Sequence, residues 1–276
     1  MAVTEPNWRT ARERARAEIT SEILDAGRRH LATEGASGLS LRAIARELGM
    51  ASSAVYRYVA SRDELLTRLI MDAYNSLGAA TEEREAAVDR VDLRGRWAAA
   101  CFAVRDWAFA NPNEYALVYG SPVPGYVAPP DTVGPAARVA NILVLILIDK
   151  AERDHDAAVV NTAQASPTHD NPASHSSPTV HDSPLSHTNP VSSTTLAAPA
   201  PAAAWRTALE PLRAVIPTVV PDSAIQSGLM TWAGLFGVVS LELFGQFHNV
   251  VGENPGDREA FFAECVTRWA AQLGLP

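Results

Sequence analysis

Residues 39–66, LSLRAIARELGMASSAVYRYVASRDELL, allow few folds. Ser40 is a helix N-cap ahead of residues 41–48, where Leu41, Ile44, Ala45 and Leu48 make one apolar stripe. Gly49 falls where a helix end needs a residue that tolerates positive φ. After the turn Gly49-Met50-Ala51 a second helix is predicted from Ser52 through Val59. Two short helices joined by a tight, glycine-containing turn form a helix-turn-helix, whose second helix enters the major groove of DNA.

The second helix divides by face. Val55 and Val59, four apart, are expected to point inward beside Ile44 and Leu48. The pairs Ser52/Tyr56 and Ser53/Arg57, also four apart, lie outside. Small hydroxyls with a tyrosine and an arginine can approach bases and phosphates closely; an ordinary solvated helical hairpin is the bland alternative.

These residues resemble the TetR-type transcriptional regulators over residues 19–69. The resemblance is carried by Ile23-Leu24-Asp25-Ala26, Leu31-Ala32-Thr33-Glu34-Gly35, the Ser40 cap, Ile44-Ala45, Leu48-Gly49-Met50, Tyr56 and Ser61-Arg62-Asp63-Glu64-Leu65-Leu66. It implies sequence-specific binding to a double-stranded DNA operator. The candidate DNA-facing set is Ser40, Arg42, Ala51, Ser52, Ser53, Tyr56, Arg57 and Arg62. Four positions depart from the family's pattern. Ala51 replaces its usual serine and Ser52 its frequent lysine, which bears on operator sequence. Arg62 stands for lysine and Val59 for an inward phenylalanine, which hardly bears on function.

The formal net charge of −8 argues against a chain that coats polyanions with its whole surface. The charge is uneven, however: residues 1–70 hold 11 Arg against 9 Asp and Glu, net +2. A mildly basic head on an acidic body suits DNA binding by one end. Cys101 and Cys265 are far apart in apolar helical patterns, as expected of a reduced, cytoplasmic protein. No signal peptide is read at the N-terminus, and no apolar run reaches eighteen residues, so no membrane span is expected.

In chain order, residues 8–34 read as a first helix with Ile19, Ile23, Ala26 and either His30 or Leu31 facing inward. Arg9, Arg12, Arg14 and Arg16 precede that core; solvation suits most of them, with a phosphate or minor-groove contact for one or two. A fourth helix opens at Arg62, capped by Ser61, and runs to 85, joining head to body. Helices follow at 93–110 and 112–119, then a proline-rich rigid loop at 120–130 and a helix from 134 into residues 149–154.

Residues 155–204 differ in kind. HDNPAS, HSSPTV, HDSPLS and HTNPVS repeat with His169, His175, His181 and His187 six apart. Such a His/Pro/Ser segment cannot bury enough apolar surface to order itself, so a disordered insertion is expected. Metal capture is the sharper alternative, but nothing fixes a coordination geometry, so no metal is assigned. Helix is expected again at 205–214. Residues 222–247 form a long helix, apolar nearly all round with Gly228, Gly234, Gly237 and Gly245, and 257–273 the last. The extra apolar face predicts pairing with a second copy, each chain giving two helices to a four-helix dimer core. This region, with Trp107, Asn111-Pro112, Tyr115 and Tyr119-Gly120-Ser121-Pro122, resembles one class of TetR-type C-terminal domain common in actinobacterial regulators.

The expected fold is therefore all-α: a three-helix helix-turn-helix domain at 1–70 and a TetR-like helical bundle for ligand binding and dimerisation at 71–276. The resemblance implies a pocket for a small-molecule effector, with Phe102, Trp107, Tyr115, Tyr119, Trp232 and Phe236 as candidate lining. It implies a homodimeric repressor released by that effector. No cofactor is expected. An enzyme would need a convergent acid, base or nucleophile set, and none is read, so the chain is expected not to be an enzyme; a ligand-binding protein that has lost DNA binding is the other alternative.

Overall fold

A computed structural model describes residues 7–164, 203–252 and 254–276, and every regular element among them is helical. Helix α1 spans Asn7–Gly38. The expected stop at 34 is nearly right: Gly35 takes φ 68° and breaks the helix, and one further turn follows it. Helix α2, Leu41–Glu47, starts under the Ser40 cap, whose hydroxyl accepts from the Ala43 amide at 3.5 Å. It ends in a Schellman turn. Met50 N donates to Ala45 O (2.8 Å) and Gly49 N to Arg46 O (3.2 Å), which requires the φ of +65° that Gly49 supplies without strain.

Helix α3 is shorter than expected, Ser52–Val55 rather than 52–59. Arg57 and Tyr58 close i→i+3 bonds to Ala54 and Val55, so the run tightens into turns up to Val59. The residues there, Tyr-Arg-Tyr-Val, include few strong helix formers. Helix α4, Arg62–Ala86, opens in a capping box: Ser61 Oγ accepts from Glu64 N (3.0 Å) while Glu64 Oε2 accepts from Ala60 N (2.6 Å).

Ile23, Ala26, Leu41, Ile44, Val55, Val59, Leu65, Leu66 and Leu69 form the head core. Each large aliphatic side chain buried there stabilises it by about 1.5–3 kcal/mol. A unit this small is marginal alone. Its core is extended by partly buried Leu117, Val123 and Tyr126 from the body.

The body is built on α4. Helices α5 (Leu93–Ala110), α6 (Pro112–Tyr119) and α7 (Val133–Gln164) pack against it, the last after a 3-10 turn at Pro130–Thr132. Gly78 on α4 is buried beneath Arg138 of α7, and a Cβ there would lie 2.7 Å from its Nε. The bare backbone lets Arg138 cross α4, clasp Glu82 (2.8 and 2.6 Å) and donate to Asn75 O at 2.7 Å. Arg96, nearly buried on α5, bridges Glu85 of α4 (2.5 Å) and Asp149 of α7 (2.6 Å). Short helices α8 (Ala203–Ala208) and α9 (Glu210–Arg213) replace the single helix expected at 205–214. Pro211 has no amide hydrogen with which to carry one helix through the join. Helices α10 (Asp222–Leu243) and α11 (Pro255–Gln272) complete the body. Helix α10 ends four residues before the expected 247, where Gly245 takes φ +75°.

Helix α7 continues to Gln164, past the expected onset of disorder at 155, and α8 already includes 203 and 204. Ala157 and Ala158 favour extension of an existing helix. The four His/Pro repeats fall among 165–202 and lie outside the described residues. Residues Pro130–Val160 and Asp222–Leu243 are long and apolar enough to cross a membrane, with mean hydropathies of 1.6 and 1.4. Both lend core residues to the body, and the first pairs Arg138 and Asp149 with neighbouring helices.

Candidate nucleic-acid interface and body cavities

Side chains of α1 hold the helix-turn-helix from behind. Arg29 Nε donates to Glu47 Oε1 at 2.7 Å, and His30 Nε2 meets Glu47 Oε2 at 2.8 Å. The Arg29 guanidinium chiefly holds the Glu47 carboxyl below the usual range. Arg28 bridges Asp25 and Asp72, binding α1 to α4. His30, a packing residue at most by its sequence position, is thus part of the α1–α2 clamp. A glutamate at the end of α2 that faces Arg29 and His30, 18 and 17 residues earlier on α1, leaves no local sequence signal.

Against this support, Ala51, Ser52, Ser53, Tyr56 and Arg57 all face solvent, and Tyr56 is 45% exposed. Val55 and Val59 are fully buried, as their spacing predicts; Leu48 is only half-buried. Arg42 and Arg46 are exposed on α2. Ser40 is occupied as the cap. Arg62 is half-buried, and its Nη2 donates to Ala36 O at 2.8 Å, which ties α4 to the last turn of α1. Arg16 also braces the head, since it donates to Arg57 O at 3.0 Å and lies 5.4 Å from the Tyr58 ring centroid. The exposed hydroxyls, phenol and guanidinium of 52–57 therefore stand on a braced platform and can donate to phosphate and base-edge acceptors.

The six aromatics expected around a pocket divide into two groups. Tyr115, Tyr119, Trp232 and Phe236 come together: Tyr119 stacks on Phe236 at 4.2 Å, with Tyr115 at 5.0 Å from Tyr119 and Trp232 at 5.3 Å from Phe236. Tyr115 is fully buried and bonds Phe236 O (3.2 Å) and Ser240 Oγ (2.9 Å); burial pushes its phenol up to about 12. Phe102 and Trp107 lie elsewhere. Phe102 packs edge-on to Phe262 on α11, and Trp107 donates to Ser76 of α4 at 2.9 Å. On α5 these two share the body core but turn toward different neighbours, as two positions five residues apart, about 140° around a helix, must.

A cavity of about 600 Å³ lies not at the aromatic cluster but between α4, α6, the 120–128 loop and the start of α7. Ile70, Tyr74, Leu117, Tyr126, Thr132 and Ala137 are among its walls. A second space of about 180 Å³ is aliphatic and lies between α7, α9 and α10, with Trp232 at its edge. The sequence signalled the Tyr119 region and the loop with its Tyr126 as part of an aromatic-rich interior, but not Tyr74. Among the described residues no group of three or more His, Cys, Asp or Glu is arranged to hold a metal ion, and both cysteines are free thiols.

Similarity to known proteins agrees with this geometry. Residues 23–69 match the model of bacterial regulatory proteins of the tetR family, and residues 97–269 match that of the tetracyclin repressor-like C-terminal domain. The chain is 40% identical over 246 residues to the HTH-type transcriptional regulator Rv1816 of Mycobacterium tuberculosis and equally to Mb1846 of Mycobacterium bovis, covering 89% of each pair of chains. Its fold matches the crystal structure of SCO4313 with a TM-score of 0.65 and 30% identity, over 94% of this chain and 98% of that one. It also matches a Rhodococcus sp. RHA1 protein of unknown function with a TM-score of 0.55 and 21% identity, over 91% and 94%. A braced helix-turn-helix on a helical body, matched by family along both parts, leaves one conclusion: the chain belongs to the TetR family and is a DNA-binding transcriptional regulator, not an enzyme.

Proposed function

We propose that the chain is a homodimeric repressor that sits on a palindromic operator and leaves it when a small, largely apolar effector enters the body. The observation that carries this reading is α4. It is one continuous helix of 25 residues, about 37 Å long at 1.5 Å per residue, and it contributes Leu65, Leu66 and Leu69 to the head core and Ala73 and Leu77 to the body core. A ligand that tilts its body end alters the position of the head. Two heads must sit one DNA turn apart, or a multiple of it, to bind together, so a small tilt in each chain is enough.

Support for the dimer comes from α10. Met230, Ala233, Gly237, Leu241 and Phe244 are spaced by three or four and are all exposed, an apolar stripe that the described residues of the chain cover only in part. Gly234 and Val238 look inward; a Cβ on Gly234 would lie 3.1 Å from Trp269. The pairing surface therefore runs through Gly237 and Leu241. In this reading residues 1–70 bind DNA and 71–276 pair and take ligand, and the protein works in the cytoplasm, where a bacterial chromosome lies. Tyr56 and Arg62 serve phosphates; Ser52 and Arg57 face bases, with Ser40, Arg42, Ala51 and Ser53 at the margin of the contact.

The test is to titrate hydrophobic compounds, drawn from the products of genes flanking the operator, into a preformed protein–operator complex. The ligand must prefer the tilted dimer, since equal affinity for both forms shifts nothing. A tenfold fall in operator affinity needs only about 1.4 kcal/mol of coupling. Compounds that quench the body tryptophans yet never change DNA affinity would leave constitutive repression or activation as the better account.

A further inference from the structure

The proline-rich strap between α6 and α7 has more contacts with the head than a connector needs. Val123 and Tyr126 pack against the head core, and the Tyr126 phenol is hydrogen-bonded to Thr67 Oγ1 of α4 at 2.9 Å. Pro122, Pro124, Pro129 and Pro130 stiffen it, and Gly125 turns it at φ +76°. Space lies on both sides. One side is the cavity of about 600 Å³; on the other, about 280 Å³ opens between the strap, α6 and the end of α1 at Leu31 and Ala36. A stiff segment with room on both sides and a polar tether at Tyr126 can swing as a unit, carrying Val123 and Tyr126 with it.

Among the described residues, none that lines the larger cavity carries a formal charge, and its hydroxyls come from Tyr74, Ser121, Tyr126 and Thr132. Those of Tyr74 and Thr132 already donate to Val118 O and Pro129 O. An ionised ligand would lose its hydration there with no counter-charge from the described lining. A neutral, mostly apolar molecule with one hydroxyl or carbonyl fits both the walls and the volume. The aliphatic space beside α10 touches neither α4 nor the strap, so an occupant there has no direct lever on the head.

We infer that a neutral, largely apolar ligand binds between α4, α6 and the strap, and that the Tyr126–Thr67 hydrogen bond is the latch through which it reaches the DNA-binding head. This rests on the reading that an effector controls operator binding. As the ligand fills the cavity it presses the strap toward the opposite space, the latch opens, and Val123 and Tyr126 withdraw from the head core.

The probe is Nile red, neutral and apolar, followed by its emission, with operator binding read by anisotropy on a duplex selected from a random pool. Ala137→Trp plugs the cavity from α7, Ala137→Leu is a milder plug in case the tryptophan misfolds, and Val144→Trp plugs the aliphatic space. The expected result is Nile red affinity about tenfold or more weaker in the Ala137 variants and unchanged in Val144→Trp. In the native chain the probe weakens operator binding. Tyr126→Phe keeps the ring but removes the latch, so it weakens operator binding without probe and shrinks the probe's further effect. Nile red lost in Val144→Trp and kept in the Ala137 variants overturns the site; if the probe still releases DNA, the effector reading survives that failure. Nile red mapped to the cavity, with operator affinity unmoved in both native chain and Tyr126→Phe, overturns the latch and the effector reading together.

Discussion

Leu241→Glu isolates the dimer from the rest of the fold. Leu241 is 44% exposed on the outer stripe of α10, so nearly half of its surface is left for a partner. Burying the exposed half of such a side chain stabilises an interface by about 1 kcal/mol. An isologous interface contains the position twice, so about 2 kcal/mol is lost on truncation alone. The glutamates add a desolvation penalty of a few kcal/mol even if each recovers part of its hydration. A total of about 4 kcal/mol raises the dimer Kd about a thousandfold. Sedimentation velocity across a concentration series reads that shift directly, and circular dichroism confirms that the helices persist. Operator affinity should fall in parallel, because a monomer places a single head on a half-site. A Leu241→Glu protein that stays dimeric at the concentrations where the native chain does, and still binds operator, would place the interface on another surface.

Two further perturbations test the packing that carries α10 and the head. Glu242, nearly buried on α10, takes two hydrogen bonds from Arg105 of α5 (2.8 and 2.5 Å), and the guanidinium also lies 5.0 and 5.4 Å from the ring centroids of Phe109 and Phe262. Glu242→Gln leaves that guanidinium without its counter-charge and should cost about 3 kcal/mol in urea unfolding; a cost below about 1 kcal/mol would show that water already screens the pair. Tyr115 gives a pH signature: its folded-state phenol titrates near 12, pushed up by burial, whereas an unfolded tyrosine titrates near 10. The unfolded chain gives up that proton first, so the contribution is intact below about pH 10 and is lost as pH rises toward 12. Tyr115→Phe should flatten the alkaline limb of the stability curve, and an unchanged limb would contradict the assignment.

How much of this was legible depended on whether the cause was local. Ser40, Gly49 and Ser61 act on backbone groups within a few residues, and the structure finds all three performing the expected cap or turn. The buried Val55 and Val59 follow from helical spacing even though the helix itself tightens after Val55. Contacts across the fold left no such trace. Nothing near Arg62 in sequence shows that its guanidinium reaches Ala36 O, nor does anything near Thr67 announce Tyr126. The candidate pocket shows the same limit. Aromatic content marked the cluster of Tyr115, Tyr119 and Phe236, but a ring can fill a core as readily as line a cavity, and the larger empty space is walled mostly by small and aliphatic residues.

Selection of bound duplexes from a random pool, run with the full chain, tests the central claim most directly. The account requires enrichment of an inverted repeat whose half-sites lie one helical turn apart or a multiple of it. Repeated with Arg57→Ala, the selection should relax preference at one or two symmetric positions per half-site, at about 1–3 kcal/mol per lost base contact. With Tyr56→Phe the motif should stay the same while all affinities fall and the salt dependence flattens by about one phosphate per chain. An enriched motif without two-fold symmetry, or one whose sequence follows Tyr56 and ignores Arg57, would contradict the account.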